Sequence, residues 1–272
     1  MSSPRGSIDE EPEIKYAIQR IKADYGVNVL VSSKLKPLLK FGRNPNVGAA
    51  ATGYTIWYTG QDQANETYVA TNVNSIDSIS SSSTAVLGSV MIEGHTQSSG
   101  NRTFVVQSAT LQGQTRVALT TALNRCSRVY NDSTSTWDGG VYAYENTAIT
   151  AGKPVDTTKI HVSVAANKNQ SEKASTSLSS SDYWIVTGFR GDILEKANAT
   201  ADVELQVRLN GKVFRPVEDV SCSNSHNGEF QFKPYLIVPP NSDVRLVAAS
   251  DSTSRDVSGS IQGYLAKIVD KI

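Results

Sequence analysis

From Val203 to Leu209 the chain alternates, with Val203, Leu205, Val207 and Leu209 on one set of positions and Glu204, Gln206 and Arg208 on the other. A period of two belongs to an extended strand with one buried face and one wet face. The run stops at Asn210-Gly211, a pair that accepts the positive φ of a tight turn, so Lys212 to Arg215 is expected to return beside it as a hairpin.

The same pattern recurs at roughly ten-residue spacing over most of the chain. Residues 27–31 form a short apolar run, and from 54 onward strands are expected at 54–58, 67–80, 86–93, 125–130, 141–145, 159–165, 172–178, 183–189, 229–232, 244–248 and 257–268. Thr103 to Leu111 should turn at Gln112-Gly113-Gln114 and return as Thr115 to Thr120. Many short strands without an internal repeat predict an all-β fold, a jelly-roll-like β-sandwich. Hydrophobic residues make up only 39% of the 272 residues, which suits strands joined by Ser-, Thr-, Asn- and Gly-rich turns.

One short N-terminal helix is expected at about 11–25, with Asp9 as its cap, Pro12 in the first turn and Gly26 at its end. Ile14, Ala17, Ile18 and Ile21 fall on one face, which must lie on another surface, either the chain's own domain or a partner. Beyond the helix, Lys34, Lys36, Lys40 and Arg43 stand among Leu35, Leu38, Leu39 and Phe41 with no acid from 34 to 43. That polarity reads either as a solvated linker or as a docking arm that orders on an acidic partner. The expected organisation is therefore an N-terminal anchoring arm over 1–50 and a β-sandwich over 51–272. The Gly- and Pro-containing stretch 151–158 is either a boundary between two β modules or one loop.

Chemistry leaves few marks. His95, His161 and His226 have no Cys or His at metal-ligand spacing, and His161 reads as an exposed strand histidine. No nucleophile elbow, phosphate cradle or calcium loop occurs, and the acids are scattered, so no catalytic residue, metal or cofactor is expected and the chain is not read as an enzyme. Cys126 and Cys222 pair only if the fold brings them together; otherwise they are free thiols. Trp57 and Trp184 lie in strands and should be core. Trp137, in the loop 133–140, is either a receptor-contacting aromatic or one folded back over the sandwich edge.

The 26 basic and 26 acidic side chains cancel, so no general field draws in nucleic acid or an anionic membrane, and neither is expected as a partner. Residues 1–11 carry no signal-like apolar core and no run approaches the roughly 20 apolar residues of a membrane span, so a soluble chain made in a cytoplasm is expected.

Val90-Met91-Ile92-Glu93-Gly94, the stretch Val105 to Thr115 and Arg125 to Tyr130 resemble a strand pattern of virion structural proteins of tailed bacteriophages. Val164 to Ser171 and Lys233 to Arg245 extend the likeness across roughly 54–268, leaving the first 50 residues outside it. The resemblance implies a virion protein, synthesised in the host cytoplasm, that decorates or cements a capsid, forms a head fibre or joins the tail. It implies other virion proteins as partners and a homo-oligomer, with a trimer favoured. On that reading Ile14, Ile18, Ile21, Lys34, Lys36, Lys40, Phe41 and Arg43 would carry partner binding. The alternative is a receptor- or glycan-binding head with Trp137 as the contact.

Overall fold

The computed structural model describes residues 12–25, 27–29, 35–49, 53–57, 73–194, 199–251 and 254–271. The fold is mostly β-sheet with one short N-terminal helix, α1 (Pro12–Tyr25). Asp9, Gly26, Lys34 and the expected strand segment 67–72 lie outside the described residues.

Two sandwiches are nested. The outer one uses both ends of the chain: β1 (Val27–Val29), β2 (Lys36–Val47) and β3 (Tyr54–Thr55) from the beginning, then β13 (Ser175–Ser177) and β14 (Asp182–Ile193) after the insertion. It is completed by β15 (Thr200–Arg208), β16 (Arg215–Ser223), β17 (Gly228–Val238), β18 (Asp243–Ser250) and β19 (Arg255–Lys271). One sheet runs β2-β19-β14-β17, with β1 also on β19, and the facing sheet runs β13-β18-β15-β16, with β3 also on β18. These are eight strand positions in two facing sheets of a jelly roll. Trp184, Val186, Phe189, Val203, Leu205, Val244, Leu246 and Ile261 fill the space between them.

The inserted sandwich interrupts one strand of that jelly roll. Along the edge of β18, Thr55 pairs with Val247 and Ser175 with Arg245, so β3 and β13 act as two halves of one strand. The break between them holds β4 (Ile76–Ser81), β5 (Leu87–Ser98), β6 (Asn101–Gln112), β7 (Val117–Leu123), β8 (Arg125–Asn131) and β9 (Val141–Glu145). The two-residue strands β10 (Ile149–Thr150) and β11 (Lys153–Pro154) and then β12 (Ile160–Val164) complete it. The sheets β12-β9-β4-β7 and β6-β5-β8 enclose a separate core of Ile76, Ile79, Val90, Ile92, Leu123, Val129, Val141 and Val162.

Several expectations are corrected. Residues 36–47 are neither linker nor free arm: β2 pairs with β19 from Lys36↔Leu265 to Val47↔Arg255. Pro37 and Pro45 are tolerated there because β2 sits at a sheet edge. Gly42 lets it pass close to the β3/β13 junction, where a Cβ would collide with the Ile56 carbonyl and the Ala174 amide. The helix covers the chain's own sheet, with Ile14, Ala17 and Ile21 buried against Tyr183, Ile185 and Ala266. Burying each isoleucine contributes about 1.5–3 kcal/mol, which holds a 14-residue helix that would be marginal alone.

Residues 149–154 are a small hairpin, with Ala151 and Gly152 at φ 48° and 73°, and the breaks between modules fall after Trp57 and before Ala174 instead. The expected hairpin 103–120 is an arch: β6 pairs with β5 and β7 with β4, in different sheets. The partner of β6 is β5, through a turn at Ser99-Gly100 where both residues have positive φ. The Asn210-Gly211 hairpin forms as expected, but a turn spanning 209–212 delays the return strand to Arg215 and leaves Leu209 exposed.

Candidate functional site

The seam between the sandwiches is built from buried charge. Asp243, at the start of β18, is fully buried. Arg102 of β6 grips it with two hydrogen bonds, Nη1 to Oδ1 at 3.0 Å and Nη2 to Oδ2 at 3.1 Å. Arg125 of β8 adds Nε to Oδ1 at 3.1 Å, and Arg208 of β15 adds Nε at 2.9 Å and Nη2 at 2.6 Å to Oδ2. Ser177 of β13 donates its hydroxyl to Oδ1 at 2.5 Å. Burial alone raises the Asp243 pKa, but Arg125, Arg102, Arg208 and Ser177 outweigh it and hold the carboxyl far below the usual range. Two of the three arginines come from the inserted sandwich and the aspartate from the outer one, so the cluster ties the two together.

Two buried lysines cross the same seam. Lys173 donates to the carbonyls of His161 at 2.6 Å and Cys126 at 3.1 Å, and lies 5.0 Å from the Trp57 ring. Lys40, on the inward face of β2, reaches the Ser127 carbonyl at 3.4 Å. Burial lowers both lysines to about 8.

Beside the arginine cluster opens a cleft of about 720 Å³, walled by β2 and the ends of β14 and β19 on one side and by β5, β6 and β8 on the other. Lys36, Lys40, Arg102, Lys267 and His95 reach it, together with Glu93, Asp182 and the hydroxyl-rich run Thr176 to Ser181. His95 is buried, and its Nδ1 has no hydrogen-bond partner. Burial, reinforced by Arg102, lowers its pKa to about 3, so the imidazole is neutral at ordinary pH. Phe104, half exposed at the mouth, packs edge-on to the His95 ring with centroids 5.4 Å apart.

Of the residues expected to bind a partner, the cleft gathers Lys36 and Lys40. Phe41 points the other way, to a shallow surface depression with Arg128 and Tyr130, and Arg43 pairs with Asp256. Ile14 and Ile21 are buried in the chain itself and Ile18 is partly buried beside them, which removes them as an anchoring face. Trp137 is 1% exposed and belongs to the inserted core, so it is not a surface contact. Arg102, Arg125 and Asp243 escaped the reading of the sequence because their partners lie 141 and 118 residues away. The one local signal was Lys40 itself, a cation at an inward position between Leu38 and Gly42.

The remaining polar groups are structural. His161 is buried, not exposed, and lies 2.9 Å from Glu145; burial lowers its pKa, so it donates to the carboxylate as a neutral ring. Cys126 and Cys222 are both buried in different cores and unpaired with each other, and burial pushes each thiol up to about 11. Among the described residues no group of three or more His, Cys, Asp or Glu is placed to hold a metal ion, and no helix is long and apolar enough to cross a membrane.

No family model and no curated protein matches the chain. Among solved structures, that of infectious bursal disease virus Gt strain aligns over 93% of this chain and 78% of its own, at 12% identity and a TM-score of 0.23. The crystal structure of the infectious bursal disease virus VP2 subviral particle aligns over 96% and 78%, at 12% identity and a TM-score of 0.22. Likeness this low does not establish common function. The particles that align are those of infectious bursal disease virus and none is a tailed bacteriophage's, so the expected tailed-bacteriophage resemblance is withdrawn. The capsid-decoration, cement and tail readings fall with it.

Proposed function

We propose that this chain is a non-catalytic structural protein of a virus particle that carries a receptor- or glycan-binding head. The outer sandwich is its base, the inserted sandwich its head, and the cleft between them its binding place. The observation that carries this reading is the cleft itself, a concave, hydroxyl-lined space between two modules that the buried Arg102–Asp243 pair joins. Such concave sites with a few convergent polar groups are where ligands bind.

Its partners on this proposal include other copies of the chain, with a trimer as the finer form. Support for assembly comes from the end of the β15–β16 hairpin, where Leu209, Val213 and Val217 are each exposed. A glycan array and a cell-binding assay with the full chain test recognition, and light scattering tests assembly. Selective glycan or cell binding by an oligomer is the expected result. A monomer that binds neither would overturn the proposal.

A further inference from the structure

Resting on the glycan-binding reading, we propose that the cleft takes an acidic saccharide, with the sugar's anionic group on Lys40 and His95. Four bases, Lys36, Lys40, Arg102 and Lys267, reach the cleft against two acids. Both acids have other partners, although the Glu93 charge also acts on Lys40: Glu93 faces Arg128 at 3.5 Å, and Asp182 accepts the Ser179 hydroxyl at 2.5 Å. Arg102 is committed to Asp243, so the cations available to a ligand are Lys40 deep in the cleft and Lys36 and Lys267 nearer solvent.

Two groups in the depth of the cleft are poorly satisfied. Lys40 is 7% exposed and makes one long hydrogen bond, to the Ser127 carbonyl, although an ammonium offers three donors. His95 is 3% exposed with Nδ1 unmatched. Buried polar atoms are normally hydrogen-bonded, so an unmatched one on a residue that lines the cleft calls for a partner. An anionic oxygen there would accept from Lys40 and from the imidazole N–H, and would offset the cost of keeping an ammonium out of water.

The rest of the cleft suits a sugar ring. The hydroxyls of Thr176, Ser177, Ser179, Ser180 and Ser181 line it, and the half-exposed Phe104 ring beside them offers a face for stacking. Carboxylate and sulfate share the required chemistry, so both belong in the test.

Calorimetric titration of the full chain with glucose, glucuronic acid and glucose 6-sulfate tests the inference. The acidic sugars should bind and glucose should not, with the stronger of the two acids identifying the anion. Lys40→Met should weaken binding at least tenfold. Lys36→Glu and Lys267→Glu, both at exposed positions, should also weaken it severalfold, whereas Lys212→Glu on the distant hairpin should leave it unchanged. Equal binding of all three sugars, binding of none, or indifference to the Lys36 and Lys267 variants would overturn the acidic site. If neutral glycans register on the array while these acids fail, the receptor reading survives and this inference does not.

Discussion

Arg102 and Asp243, 141 residues apart in the chain, meet through two parallel hydrogen bonds of 3.0 and 3.1 Å in a place where neither is accessible to water. The pair joins a sandwich to the sandwich inserted in it. Two charges so buried are favourable only as a matched set, and removing one partner leaves the other desolvated and uncompensated.

Asp243→Asn should therefore cost about 3–5 kcal/mol, because three guanidinium groups then face a neutral amide. Urea denaturation followed by tryptophan fluorescence measures the loss. The transition should also split into two, since the modules have separate cores.

Acid should act through the same carboxylate. Its folded pKa is depressed below the unfolded value of about 3.9, so its contribution is full above that value and is lost as pH falls toward the folded pKa. The thermal midpoint should hold from neutral pH to about 5 and drop below about 4. In Asp243→Asn that acid limb should be shallower.

Lys40→Met should stabilise the fold. The drop in the lysine's pKa from 10.5 to about 8 corresponds to about 3 kcal/mol of charging cost. A lowered base leaves this cost in full below about 8 and relieves it as pH rises toward 10.5, so the gain should be largest at neutral pH and vanish near pH 10.5. Thermal melts of both proteins across that range check the sign. Unchanged stability at neutral pH would contradict it.

Trp137→Ala should cost about 3–5 kcal/mol of stability. The side chain is enclosed with Val86, Val141 and Val164 in the inserted core. Loss of binding without loss of stability, measured by calorimetry and thermal melting, would return Trp137 to the surface.

Much of the fold was legible because strand grammar is local. Val203, Leu205 and Val207 announce their face by alternation, and all three are buried where that pattern puts them. The 36–47 strand was not legible, since Lys40, Pro37 and Pro45 argue against a strand and only pairing with β19 at the far end of the chain overrides them. The nesting was hidden for a related reason: β3 and β13 are halves of one strand only once β18 lies beside them. Trp137 misled because its loop is polar while its ring is buried in the inserted core. Of the candidate site, Lys36 and Lys40 stood out as cations, but nothing near them in sequence showed that His95, Arg102 and Ser179 would share their cleft.

On this proposal the junction cleft, and not an arm or an exposed loop, is where ligand binds. Backbone amide shifts of the isotopically labelled chain, recorded during titration with glucuronic acid, test it most directly. The perturbed amides should cluster at 36–40, 93–104 and 176–182, with those around Trp137 unmoved. Perturbations confined to other surfaces, or none at saturating sugar, would contradict it.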